Sequence, residues 1–185
     1  DFKKDKLLTC LVSDNEKYKY LDRKYDLVYC EHGVNGTIRK LPRVIDKYNK
    51  IITSYSNIKN LKDIYVKLPT ENNIIVKADL IIGDEDLDIA IIQVSIDHEL
   101  EPVTFASNEN LLAGDTSILI SNSTGDEYID SIIPGVITSV NRSITMGKYD
   151  NIKLLELNTN INEFNKSGGI FNLNGELIGI ANKKI

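Results

Sequence analysis

The sequence predicts an all-β protein of antiparallel strands with little helix, closed as a barrel or a sandwich. Three observations predict it. Apolar and β-branched runs, most of them four to eight residues long, recur along the chain. Polar or Gly-containing breaks separate them. Stretches with the 3.6-residue periodicity of an amphipathic helix are scarce.

In chain order the candidate strands are DLVYC, RVID, KIITSY, DIYVKL, NIIVKADLII, DIAIIQV, TSILIS, GVITSV, IKLLEL, GIFNL and GELIGI. DKYNK, ahead of the third, and LPTENN, after the fourth, are turn-like. NLNGEL marks a hairpin, because Asn-Gly favours the positive-φ turn that matches strand twist. Short helices are expected only between Asp14 and Lys24 and in SNENLLAGD. No internal repeat is visible. A polar connection, HELEPVTFASNENLLAGD, separates two strand-rich halves and places a boundary near Phe105 to Gly114. The expected organisation is an N-terminal segment with a first strand region over 1–43, a first β unit over 44–105, and a link with a second β unit over 106–185.

Composition narrows the function classes. A chain of 185 residues forms one large domain or two small ones and buries a real core. Its 42% apolar share is ordinary for a globular protein, and its 26% of well-mixed charges argues against disorder. A net charge of -5 speaks against nucleic acid, which requires a basic surface. No apolar run approaches the roughly 20 residues that span a bilayer, so membrane attachment is expected only through segments outside this chain. No signal peptide is visible. The abrupt start DFKKDK and end NKKI are those expected of a domain cut from a longer protein. Cys10 and Cys30 both lie in apolar settings, LLTCLV and LVYC. They read either as buried free thiols or as a disulfide, which would imply an oxidising compartment. Two cysteines without CxxC spacing make no zinc site, and GDEDLD lacks the spaced ligands of a calcium loop, so neither metal nor cofactor is expected. The sequons at Asn35, Asn122, Asn141 and Asn165 are consistent with chance in so Asn-rich a chain.

The chemistry-bearing stretch is NKSGGIFNLNGELIGI, where Ser167 precedes two glycines and a strand–turn–strand pattern. Asp88 lies in DLDIAIIQV, at an apolar strand edge. Alone, Ser-Gly-Gly reads as a tight turn and Asp88 as a backbone-binding carboxylate. Together with their order, these stretches resemble the HtrA-like branch of the trypsin-like serine proteases. IIGDEDLDIAIIQV resembles the stretch whose Asp-Leu-Ala carries the triad aspartate, matched by Asp88, Ile89 and Ala90. LEPVTFASNENLLAGDTSILISNSTG resembles the family's long link, with Gly114-Asp115 and Asn122-x-x-Gly125 in place. PGVITSVNRS is similar to GIVSxxxR, and NKSGGIFNLNGELIGI to GNSGGPLxNxxGxVIGI. The resemblance covers residues 44 to 185. It implies two packed antiparallel β-barrels of the chymotrypsin type, with 44–105 the first and 106–185 the link and second. It also implies a final strand or helix, and often a peptide-binding domain, after GELIGI.

The same resemblance places the catalytic histidine in a stretch like IxTNxHVI. Here that stretch is IITSYSNI, and the position falls on Ser56, 32 positions before Asp88. Of the two histidines, His32 lies 24 positions too early and His98 follows Asp88. Both read as solvated loop residues. A serine hydroxyl needs a base that takes its proton and returns it to the leaving group. Imidazole, with a pKa of about 6.5, does both; serine does neither. Three further departures accompany this one. Asn165 stands where the family has the glycine whose N–H turns into the oxyanion hole, so Asn165 and Ser167 are only a remnant of that hole. KLPRVID replaces a Gly-Ser-Gly entry, and Ile170 replaces the proline after Ser-Gly-Gly.

The function expected is therefore that of an inactive pseudoprotease, with Ser167 and Asp88 a remnant triad. It would serve as an extracellular or cell-surface binding, sensing or scaffolding module of a larger bacterial regulatory or surface protein. A peptide or protein in the old cleft, or a neighbouring domain of the same chain, is the expected partner. Carbohydrate is a competitor that the absence of Trp disfavours. The alternative is an active endopeptidase whose base is brought to Ser167 from His32 or another unaligned position.

Overall fold

The computed structural model describes residues 29–31, 43–67, 75–97, 100–121, 131–162 and 165–182. Each of the eleven apolar runs overlaps a strand: β1 (Tyr29–Glu31), β2 (Arg43–Val44), β3 (Lys50–Thr53), β4 (Ile64–Lys67), β5 (Ile75–Asp84), β6 (Ile89–Val94), β7 (Thr116–Ser121), β8 (Ser131–Met146), β9 (Tyr149–Leu157), β10 (Gly169–Phe171) and β11 (Leu177–Ile180). Every pairing between them is antiparallel.

The strands form two sheets. The first has the order β1-β4-β5-β6-β3-β2 and the second β11-β10-β7-β8-β9. Period-2 alternation assigns the faces. In β6, Ala90, Ile92 and Val94 are buried while Ile89, Ile91 and Gln93 are partly exposed. The first sheet closes on Ile51, Val66, Ile92 and Leu100, and the second on Leu119, Ile137, Ile170 and Ile178. Val103, Phe171 and Leu177 form a third cluster with Ile45, which ties the link to both sheets. The link also adds backbone bonds to β11: Leu177 N–H donates to the Thr104 carbonyl at 2.7 Å and Ala106 N–H to the Leu177 carbonyl at 3.0 Å. β8 serves both halves of its sheet, pairing β7 through Val136 and β9 from Ile137 onward, with bulges that bend it between the two. This is the chymotrypsin-like arrangement of two antiparallel barrels.

Local chemistry sets the turns. Asp46 Oδ1 accepts the Tyr48 and Lys50 N–H groups, and Asn49 takes the left-handed conformation, so DKYNK turns β2 into β3. In NLNGEL, the positive φ falls on Gly175 alone and not on Asn174. Asn172 Oδ1 accepts the N–H groups of Asn174 and Glu176, and a bulge lies between Ile170 and Phe171. The hairpin therefore turns by an Asx-stabilised turn in place of the two-residue Asn-Gly turn the sequence predicts. SNENLLAGD carries one 3-10 turn, Asn108–Asn110, and no longer helix. Past it, Asp115 Oδ2 takes the Leu112 N–H in a local turn. The expected helix over 14–24 and the LPTENN turn lie outside the described residues.

Candidate functional site

Two turns of the first sheet build one half of the site. β3 ends at Thr53, and the chain passes through Ser54 into a 3-10 turn, Tyr55–Asn57. The β5–β6 turn ends at Asp88, whose φ of 52° is left-handed, a region that Asp enters more readily than most residues. Gly83, near the end of β5, leaves the space that the Tyr55 ring fills, so the 3-10 turn packs against that strand end. Ser56 donates its N–H to Asp88 Oδ1 at 2.6 Å and its hydroxyl to Oδ2 at 3.0 Å. Asp88 is buried, and Ser56 is exposed. The structure thus brings Ser56 and Asp88 together, with no imidazole between them. His32 and His98 lie outside the described residues, as do Cys10 and the side chain of Cys30. The described residues contain no histidine.

The second sheet supplies Ser167, fully buried at 0% exposure, in the turn ahead of β10. Its φ of 72° is left-handed, a conformation that costs a non-Gly residue on the order of 1–3 kcal/mol. Three bonds hold it there. The hydroxyl donates to Ser54 Oγ at 2.6 Å and accepts from Asn57 Nδ2 at 2.9 Å. The N–H donates to the Ala181 carbonyl at 2.8 Å. A hydroxyl and an amide N–H are the partners of Ser167 Oγ, and neither takes a proton at neutral pH. Asp88 holds Ser56, and Lys166 Nζ donates to Ser56 Oγ at 3.2 Å from the other side. Ser54, Asn57 and Lys166 have no motif to announce them. The fold assembles them from residues 110 or more positions apart.

The backbone of this turn is spoken for. Asn165 N–H donates to Asn162 Oδ1 at 3.1 Å, Lys166 N–H to the Asn162 carbonyl at 3.0 Å, and Gly168 N–H to the Asn165 carbonyl at 3.2 Å. With Ser167 bonded to Ala181, all four N–H groups from 165 to 168 are engaged within the chain. The Asn165 side chain locks the loop further. Its Oδ1 accepts the Asn162 N–H at 2.6 Å, and its Nδ2 donates to the Asn160 carbonyl at 2.8 Å. The left-handed residue is Ser167 and not Asn165, which serves as a buried cross-brace. At Gly168 a Cβ would stand 2.8 Å from the Ile120 carbonyl oxygen and 2.7 Å from Ser121 Cβ, so only glycine fits against β7.

A second set of contacts fixes the β5–β6 turn from the second sheet. Tyr149 donates its phenol to Asp84 Oδ2, and Lys148 pairs with the same oxygen at 3.1 Å. Lys148 N–H donates to Asp86 Oδ2 at 3.3 Å, and Asn182 Nδ2 to the Leu87 carbonyl at 2.8 Å. The Tyr149 phenol, with help from the Leu87 N–H and Lys148, holds the Asp84 carboxyl down to about 2, against an ordinary 3.8. The same bond raises Tyr149 above its ordinary 10.0.

A family model described as "Trypsin-like peptidase domain" matches residues 43–180. A curated relative, "Serine protease Do-like HtrA" of Lactococcus lactis subsp. lactis (strain IL1403), is 29% identical over 114 residues, which are 60% of this chain and 28% of the relative. The match thus spans just over a quarter of that protein. Among solved structures, Deg5 superposes with a TM-score of 0.70 at 22% identity, over 94% of this chain and 88% of that one. The MamO protease domain from Magnetospirillum magneticum superposes with a TM-score of 0.68 at 16% identity, over 87% of this chain and 85% of that one. At such identities the two structures speak for the fold alone. No helix among the described residues is long and apolar enough to cross a membrane. The model match covers most of the chain, and with the two-barrel fold it makes this chain a member of the trypsin-like peptidase domain family, similar to its HtrA-like branch.

Proposed function

We propose that this domain is a catalytically silent member of its family, a pseudoprotease that works by binding. The carrying observation is the engagement of the four N–H groups from 165 to 168. A tetrahedral oxyanion needs preorganised donors 2.7–3.1 Å from where its charge develops. Here the two donors assigned by resemblance are committed to Asn162 and Ala181. Ser56 at the base position supports the same reading, because it can orient on Asp88 but cannot accept a proton from Ser167. On this reading Ser167, Asp88, Ser56 and Asn165 are the remnant of a catalytic site turned into a hydrogen-bonded junction. The module binds a peptide or protein, or a neighbouring domain of its own longer chain, and acts outside the cytoplasm in sensing or scaffolding. The cysteine pair, if oxidised, supports that location.

The test is treatment with an activated fluorophosphonate followed by intact mass measurement. The expected outcome is no adduct. A stoichiometric adduct that vanishes in Ser167→Ala would establish an activated nucleophile and refute the proposal.

A further inference from the structure

The outer face of the first sheet carries a row of isoleucines. Register places Ile52 of β3 beside Ile91 of β6, and Ile91 beside Ile82 of β5. Ile52 and Ile91 alternate with core residues, which turns them away from the barrel interior, and Ile82 shares their face as the register partner of Ile91. Ile82 is 60% exposed, and Ile81, the extra residue of the bulge beside it, is 51% exposed. These strands lie inside the sheet, so their backbones are paired and only the face is open. The next outward row reads Lys50, Gln93, Asp79 across the same three strands. The β8–β9 turn closes the far end of the face by bonding Asp84.

We propose that this face is a self-association surface, and that its occupant is a second copy of this chain. The pattern is symmetric about β6 in apolarity and antisymmetric in charge. A two-fold axis running along β6 lays Ile52 over Ile82 of the copy and Ile91 over Ile91. The same operation sets Lys50 against Asp79 and Gln93 against Gln93. Lys50 also pairs with Asp46 at 3.1 Å, but an ammonium carries three donors and keeps two for a partner. Isologous interfaces require this self-complementarity, whereas an unrelated ligand has no need of it. Sheets packed face to face bury such rows at a spacing of about 10 Å. A patch three strands wide lies at the small end of specific interfaces, so the dimer is weak and reversible.

Sedimentation velocity of the 185-residue chain, run as a micromolar-to-millimolar series, tests this. A concentration-dependent monomer–dimer equilibrium is expected, and Ile82→Lys should weaken it by about tenfold or more without altering the circular dichroism spectrum. Asp79→Lys, which sets two lysines against each other, should weaken it as well. The double variant Lys50→Asp/Asp79→Lys should restore it, and this pair decides the matter if Ile82→Lys fails to fold. A monomer at every concentration overturns the proposal. So does a dimer that Ile82→Lys leaves intact, or a double variant no tighter than Asp79→Lys. A monomer whose Ile82→Lys variant is unfolded would assign the face to the chain's own residues and overturn it too.

Discussion

Restoring the missing imidazole should not restore a protease. On the proposed reading Ser56 occupies the base position; it binds Asp88 through its N–H and Oγ, so Ser56→His presents a histidine to a carboxylate in place. Loss of the base alone costs about 10⁶ in kcat in subtilisin. The oxyanion donors are a separate loss, at about 10² to 10³ each. Two of them are committed here, Asn165 N–H at 3.1 Å to Asn162 Oδ1 and Ser167 N–H at 2.8 Å to the Ala181 carbonyl. An otherwise ideal Ser56→His variant therefore stays about 10⁴ to 10⁶ below an active enzyme. Freeing the first donor requires removing the side chain that captures it and the cross-brace behind it. Ser56→His/Asn162→Ala/Asn165→Gly should accordingly exceed Ser56→His by about 10² to 10³. Freeing the second requires Ser167 to leave its left-handed conformation and its bond to Ala181, which no side-chain change accomplishes directly. The assay is single-turnover acylation by an activated ester, with Ser167→Ala in each background to subtract histidine-catalysed hydrolysis. Burst acylation of Ser167 by Ser56→His alone, at a rate the triple variant does not improve, would show that the N–H groups turn inward freely and would refute this account.

Two further outcomes follow from the same contacts. Ser167→Ala removes a buried hydroxyl bonded in both directions and strands Ser54 Oγ and Asn57 Nδ2. It should therefore cost about 1–3 kcal/mol. That lowers Tm by several degrees at roughly 2–4 °C per kcal/mol in calorimetry, and an unchanged Tm would contradict it. The Tyr149–Asp84 contact gives stability a pH signature. The depressed Asp84 carboxyl contributes fully above its ordinary 3.8, and the contribution is lost as pH falls through the folded value of about 2. The raised Tyr149 phenol contributes fully below its ordinary 10.0, and that contribution is lost as pH rises through its higher folded value. The stability difference between wild type and Tyr149→Phe, from denaturant melts, should be flat between these limits and shrink outside them. A difference that holds its size from pH 4 to pH 2 would assign the effect to packing.

The strands were legible because their cause is local. Alternation of Ile and Val with polar residues assigns a face wherever one side is buried, and the runs from RVID to GELIGI each overlap a strand. Turn residues were legible in kind but not in detail. Asn174-Gly175 does turn the chain, yet the Asn172 side chain takes two N–H groups and leaves the positive φ to Gly175 alone. The Ser56–Asp88 pairing was reachable through the family resemblance, which sets the two residues at adjoining triad positions. The state of the Ser167 turn was not. Nothing in NEFNKSGG announces that Asn162 and Asn165 exchange side-chain bonds with each other's N–H groups, because Asn side chains bond backbone in many arrangements and tertiary context selects one. Ser54, Asn57 and Lys166 were equally silent, since each acts across the junction between the sheets.

On the proposed reading, the contacts of Asp88 explain how a remnant triad carboxylate persists where no described residue serves as a base. A buried carboxylate is costly unless hydrogen-bonded. Asp88 meets that condition with one backbone N–H and one hydroxyl from Ser56. In doing so it fixes the 3-10 turn that carries Asn57 and follows Ser54, the two partners of the Ser167 hydroxyl. Lys166 closes the circuit by reaching back to Ser56. Every one of these contacts except Asp88–Ser56 crosses from one sheet to the other, and Asn182 to Leu87 adds another crossing beside them. The site therefore acts as a polar seam between the barrels, in the place where an active relative needs its groups free to move a proton. On the proposed reading, a seam of this kind is stabilised by the same engagement that silences the chemistry: each N–H and hydroxyl committed to a neighbour is one fewer to meet an oxyanion or a leaving group. Cohesion and catalysis then compete for the same atoms, and the pseudoprotease we propose is the outcome in which the hydrogen bonds go to cohesion.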